Sequence, residues 1–132
     1  MSADPERGEE ILDAARRARG YSLPLHSVLA REDADVLAAY EQMMNALYLK
    51  GRRLDGKTKE LIYVAALVAL GAPEPHVRAH MERARREGAT PEEVLETIEL
   101  LIPAAGVARA SVGLETWRRA FRPDDHSPTA AG

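Results

Sequence analysis

The chain has no cysteine among its 132 residues. That absence excludes a disulfide framework, thiolate metal sites and any mechanism that needs a nucleophilic or redox-active thiol. Aromatics are scarce at 5%, with one Trp, one Phe and four Tyr, while Ala, Leu, Glu and Arg are plentiful, a balance that favours packed helices over sheets. Basic charge is not in excess: 18 Lys and Arg stand against 21 Asp and Glu, for a net charge of -3, which disfavours binding to nucleic acid through phosphate neutralisation. A membrane-spanning run of about 18 apolar residues is also missing. The opening MSADPERGEE is acidic and lacks the basic-then-apolar layout of a signal peptide, so the expected location is the cytoplasm. The length fits a single domain of roughly 100–200 residues that can build its own core.

Helix signals fill the chain. Asp4 followed by Pro5 reads as an N-cap with proline in the first turn, opening a helix that runs to Gly20. Tyr21 to Leu29, interrupted by Pro24, reads as a turn plus a short helical piece. Val36, Leu37, Tyr40, Met43, Met44 and Leu47 then lie on one helical face, and Gly51 is the expected stop. Asp55 caps the next helix, whose segment LIYVAALVAL, Leu61 to Leu70, is apolar all round and is expected to be the buried centre of the domain. After Gly71 a polar helix runs from about Glu74 to Gly88. Gly88-Ala89-Thr90-Pro91-Glu92-Glu93 spells a helix end followed by a capping box. A helix from Pro91 to about Ile102 is interrupted by Pro103, and Val107, Ala110, Leu114, Trp117 and Phe121 mark the last one. The expected organisation is an all-α domain of about six helices over residues 1–122, with a disordered tail at 123–132.

Four histidines and one glutamate carry the candidate chemistry. His126 lies in the polar tail, and His26 sits in the proline-containing segment, where it either packs or lines a pocket. His76 and His80 stand four apart and share one helix face. Such a pair can serve acid–base chemistry, contribute two ligands to a metal, or hydrogen-bond at a helix surface; no third ligand is evident, and no metal is expected. Glu60 enters the apolar helix from its polar first turn, so its carboxylate either lies at the edge of the core or simply favours the helix N-terminus. Arg52, Arg53, Lys57 and Lys59 are candidate partners for a substrate carboxylate, or a solvated basic run.

The block LDGKTKELIYVAALVALGAPEPHVRAHMERARREGATPEEVLETIELLIPAAG, from Leu54 to Gly106, resembles the carboxymuconolactone decarboxylase family, of the all-helical alkylhydroperoxidase D-like superfamily. The most specific parts are the KTKELI turn, the helix ending in His80 and the GATPEEV bend. In the redox branch of that superfamily a glutamate, a CxxC pair and a histidine work together. By position the histidine falls on His80, the second cysteine on His76, the first on Pro73, and the glutamate on Glu60 with an offset of one residue. With both thiols missing, the resemblance implies the fold and not thiol-dependent peroxide reduction.

The decarboxylase branch is the more similar one, and it uses neither metal nor organic cofactor. It implies loss of carbon dioxide from 4-carboxymuconolactone in aromatic catabolism, with His80 and Glu60 catalytic and with His76, Tyr63 and Arg53 binding substrate. It further implies a homo-oligomer, a hexamer or trimer of dimers. The segment before Leu54 departs from the Trp-containing stretch of true decarboxylases, which leaves the substrate open. The alternatives are a non-catalytic oligomer that binds a small acid, or a peroxidase-like protein working without the CxxC pair. Catalysis and binding part on whether Glu60 and His80 converge on a pocket of a few hundred cubic ångströms.

Overall fold

The computed structural model describes residues 4–124, and among these every regular element is a helix. The tail expected to be disordered, with His126, lies outside the described residues from position 125 onward. The chain divides into two compact units, with the boundary between Leu54 and Asp55.

The first unit holds α1 (Pro5–Arg19), α2 (Pro24–Glu32) and α3 (Ala34–Met44), the last continued by a π-helical turn at Asn45–Leu49. The Asp4 carboxylate accepts from the Arg7 N–H at 3.0 Å and caps α1. In the segment expected to hold a turn and a short helical piece, residues 21–23 precede the helix and residues 24–29 form its first part, with α2 continuing to Glu32. Pro24 starts this helix instead of breaking it, because it occupies the first turn, where its missing N–H has no partner to lose. Leu12, Ala30 and Leu37 form the core, with Ile11 and Leu29 packed against them. Gly8 permits the crossing of α1 over α2: a Cβ there would lie 1.7 Å from the Ala30 carbonyl oxygen. The third helix stops at the π turn rather than at Gly51, since Lys50 is already extended.

The second unit holds α4 (Gly56–Leu70), α5 (Glu74–Arg86), α6 (Pro91–Glu99), α7 (Leu101–Ala105) and α8 (Val107–Phe121). Asp55 caps α4 by accepting from the Thr58 N–H at 2.8 Å, and Gly71 closes it in the left-handed region. Thr90 and Glu93 make the reciprocal capping box, at 3.0 and 3.1 Å. The core is built from Val64, Val68, Val77, Met81, Val94 and Ile98, against which Leu114, Trp117 and Phe121 of α8 pack. The Trp117 indole N–H donates to the Pro91 carbonyl at 2.8 Å and ties α8 to the start of α6.

Two expectations need correction here. The helix expected to run from Pro91 to Ile102 breaks at Leu100, and Pro103 falls inside the first turn of α7. A proline at 103 would clash with the carbonyl four residues earlier if the helix were continuous, so the chain restarts just ahead of it. Nor is α4 buried all round: Val64 and Val68 are enclosed, but Ile62 is 51% exposed and Leu70 76%. Apolar residues cover two faces of this helix, and its own unit covers only one.

Candidate active site

Within the second unit the site grows from the first turns of α4 and the middle of α5, which pack side by side. Glu60 lies one turn into α4, on the face that also carries Val64 and Val68, and His80 lies on the buried face of α5 with Val77, Met81 and Ala84. Helical spacing in both elements thus points a carboxylate and an imidazole into the same interface. Each is only 2% exposed. His80 Nδ1 and Glu60 Oε2 are 2.8 Å apart. An ionised carboxylate only accepts hydrogen bonds, so Nδ1–H is the donor and the ring is held in that tautomer.

Around the pair stand three more side chains. The Tyr63 ring is stacked on the His80 ring, 4.7 Å between centroids and 6° from parallel. Burial, and secondly the Glu60 charge, push the Tyr63 phenol above its ordinary value. The His76 ring lies 5.4 Å from that of His80, one turn earlier on α5. Burial lowers the His76 pKa, and the neighbouring His80 lowers it further, which favours a neutral imidazole. Arg83, three residues after His80, places Nε 3.6 Å from Glu60 Oε1 and Nη2 3.7 Å from Glu87 Oε1. The sequence reading passed over Arg83, although its place at i+3 from His80 is a signal for the same helix face.

Four of the five expected site residues, Glu60, Tyr63, His76 and His80, are therefore brought together on α4 and α5. The fifth, Arg53, is exposed in the segment that closes the first unit. Among the other basic candidates, Lys57 pairs with Glu93 at 2.6 Å, and Lys59 is nearly buried. No cluster of three or more histidine or carboxylate side chains arranged to hold a metal ion occurs among the described residues.

The cavities described within the second unit lie elsewhere. One of about 80 Å³ is lined by Val68, Gly71, Val77, Arg109 and Gly113, among others, and one of about 340 Å³ runs beside Ser111, Glu115 and Arg119. Neither is lined by Glu60 or His80. In the first unit a cavity of about 340 Å³ lies between alanines of α1 and the Ala38–Asn45 stretch of α3 and the π turn, with Glu41 on its wall. His26, left open between packing and pocket lining, packs here: it is 1% exposed, its Nδ1 accepts from the Leu23 N–H at 2.8 Å, and its Nε2 lies 3.1 Å from Arg19 Nη2. Arg19 in turn makes a bidentate pair with Glu41 at 2.6 and 2.7 Å. Burial disfavours the Arg19 charge, yet the hydrogen bonds and charge of Glu41 outweigh it and raise the Arg19 pKa.

Among the described residues every regular element is a helix, and a buried glutamate–histidine pair lies between two of them in a chain that has no cysteine. The family model that matches is that of the carboxymuconolactone decarboxylase family, over residues 34–118, and the chain belongs to that family. A crystal structure of a candidate carboxymuconolactone decarboxylase from Burkholderia xenovorans LB400 is similar in fold, with a TM-score of 0.76. It shares 22% sequence identity, over 89% of this chain and 93% of that one. No curated protein matches the chain. No helix among the described residues is long and apolar enough to cross a membrane.

Proposed function

We propose that the protein is a cofactor-independent carboxy-lyase acting on a carboxylated lactone or a similar small acid, with 4-carboxymuconolactone as the first substrate to test. The observation that carries the reading is the buried His80–Glu60 hydrogen bond of 2.8 Å in a chain of this family that has no cysteine. The family match, over residues 34–118, crosses the boundary at Leu54 between the two units, which supports treating those residues as parts of one functional domain.

In the proposed reaction the bond between the ring carbon and the carboxylate breaks, and carbon dioxide departs. The electron pair enters the unsaturated lactone and rests chiefly on the carbonyl oxygen as a dienolate. Protonation of the carbon next to that carbonyl then gives the enol-lactone. His80, its Nε2 protonated by water before each turnover, supplies this proton from Nε2, and Glu60 holds Nδ1–H and offsets the positive charge that the ring carries until then. Tyr63 and His76 line the site. Burial of the pair suits a step in which water must not quench the charge that develops.

The test is to mix metal-free protein with 4-carboxymuconolactone and follow carbon dioxide and enol-lactone. H80A is expected to lower turnover by about 10²–10⁴ if His80 is the acid. A change of only a few-fold removes it from that role. The second reading is a non-catalytic small-acid-binding oligomer of the same fold. Saturable binding of the lactone without turnover would establish that alternative.

A further inference from the structure

His76, His80, Arg83 and Glu87 follow one another along α5 at steps of four, three and four, which puts all four on one face of the helix. Opposite them Glu60 presents two oxygens with different neighbours: Oε2 meets His80 Nδ1 at 2.8 Å and Oε1 meets Arg83 Nε at 3.6 Å. The Arg83 side chain is itself largely enclosed, at 16% exposure, and its outer end lies toward Glu87. A carboxylate buried this deeply is costly unless a countercharge and hydrogen-bond donors compensate it. A neutral imidazole supplies the donor without supplying the charge.

We propose that Arg83 is a positioning residue: its guanidinium, an ion-pair partner of Oε1 at 3.6 Å, orients Glu60, and thereby keeps the His80 proton on Nδ1 and directs proton exchange to Nε2. The inference rests on the reading of His80 and Glu60 as the working pair. In this role Arg83 acts through Glu60. Without the guanidinium beside Oε1 the carboxylate is free to turn, His80 Nδ1–H no longer has a fixed acceptor, and the Nδ1–H and Nε2–H forms of His80 become close in energy.

The imidazole ¹⁵N shifts of His80 report the tautomer directly and need no substrate. At a pH where the ring is neutral, the wild-type protein is expected to show one Nδ1–H form. R83Q is expected to show a mixture of both forms, R83K to restore the single form, and E60A to mark the signal of a ring with no acceptor at Nδ1. If R83Q does not fold, as judged from its amide spectrum and Trp117 fluorescence, R83M keeps the buried shaft and carries the same test. A single Nδ1–H form in the folded glutamine or methionine variant overturns the proposal.

With 4-carboxymuconolactone, R83Q is expected to lower kcat about tenfold with little change in KM, the pattern of a lost transition-state interaction. The two readouts separate the two failures. An active wild-type enzyme whose tautomer ignores Arg83 leaves the lyase reading standing without this residue. A wild-type protein that is inactive but whose tautomer depends on Arg83 removes the lyase reading and keeps the positioning role.

Discussion

The Glu60–His80 pair should behave as one energetic unit, and a double-mutant cycle measures this. Both side chains are buried, so each single substitution to Leu strands its partner away from water. E60L removes the acceptor of His80 Nδ1–H and also the ion pair of Arg83, and loss of one member of a buried charged pair costs about 3–5 kcal/mol. H80L leaves Glu60 with Arg83 at 3.6 Å, so its cost belongs nearer about 1–3 kcal/mol, the penalty for one unsatisfied group. The double variant E60L/H80L strands neither partner of the hydrogen bond. Its cost should therefore fall short of the sum of the singles by about 1.5–3 kcal/mol, the contribution of a hydrogen bond to an ionised group. Against a total stability of about 5–15 kcal/mol these are large effects. Urea unfolding at neutral pH, read from midpoint shifts at unchanged slope, is the assay. Additivity within about 0.5 kcal/mol would show that the two groups do not share a hydrogen bond in solution and would refute the site described above.

Two further outcomes follow from particular side chains. The unfolded His76 titrates near 6.5, whereas burial and then His80 hold it lower in the fold; the unfolded chain therefore binds its proton first, and stability present above that pH is lost as pH falls from about 6.5 toward the folded value. H76Q should flatten this part of the stability profile, and a profile identical to wild type would show that His76 is not perturbed. In the second unit, Ile62, Leu70, Leu100, Val107 and Val112 remain exposed on single-chain surfaces, so we expect a homo-oligomer that L70E shifts toward smaller species. A wild-type mass near 14.5 kDa by light scattering would contradict this.

What could be read from sequence divides by the range of the interaction. The caps at Asp4, Asp55 and Thr90–Glu93 are contacts over three residues, and a window of four letters contains everything they need. Glu60 and His80 are 20 residues apart, and each was placed only by its own helical face and by the family pattern. Arg83 had the same face signal as His76 but is one of several charges on a polar helix, and its spacing alone does not set it apart. The cluster of Arg19, Glu41 and His26 was hidden in the same way. Yet Arg19 continues the spacing of Leu12 and Ala15, the buried stripe of α1, and that register was visible. The two faces of α4 show the limit of hydropathy: an apolar residue reads alike whether its cover comes from the same unit or from elsewhere. The π turn at Asn45–Leu49 had no sequence signal that separates it from the helix before it.

The positions where the redox branch of the resembled superfamily carries its thiols are here Pro73 and His76, and the exchange changes the electrostatics as well as the chemistry. A thiolate beside His80 would add negative charge and a reducing equivalent. His76 adds neither, and because burial favours its neutral form it adds no positive charge either. When His80 gains a proton at Nε2, its Nδ1–H therefore stays on the Glu60 carboxylate at 2.8 Å, and the ring beside it, 5.4 Å away, is uncharged. Tyr63, stacked on the ring and with its phenol held in the neutral form, shields a third direction without changing the local charge. In the proposed reaction the imidazole takes up a proton from water at Nε2, keeps Nδ1–H on the carboxylate and releases the Nε2 proton to carbon, which is the cycle a decarboxylase asks of its acid and not the cycle a dithiol peroxidase needs.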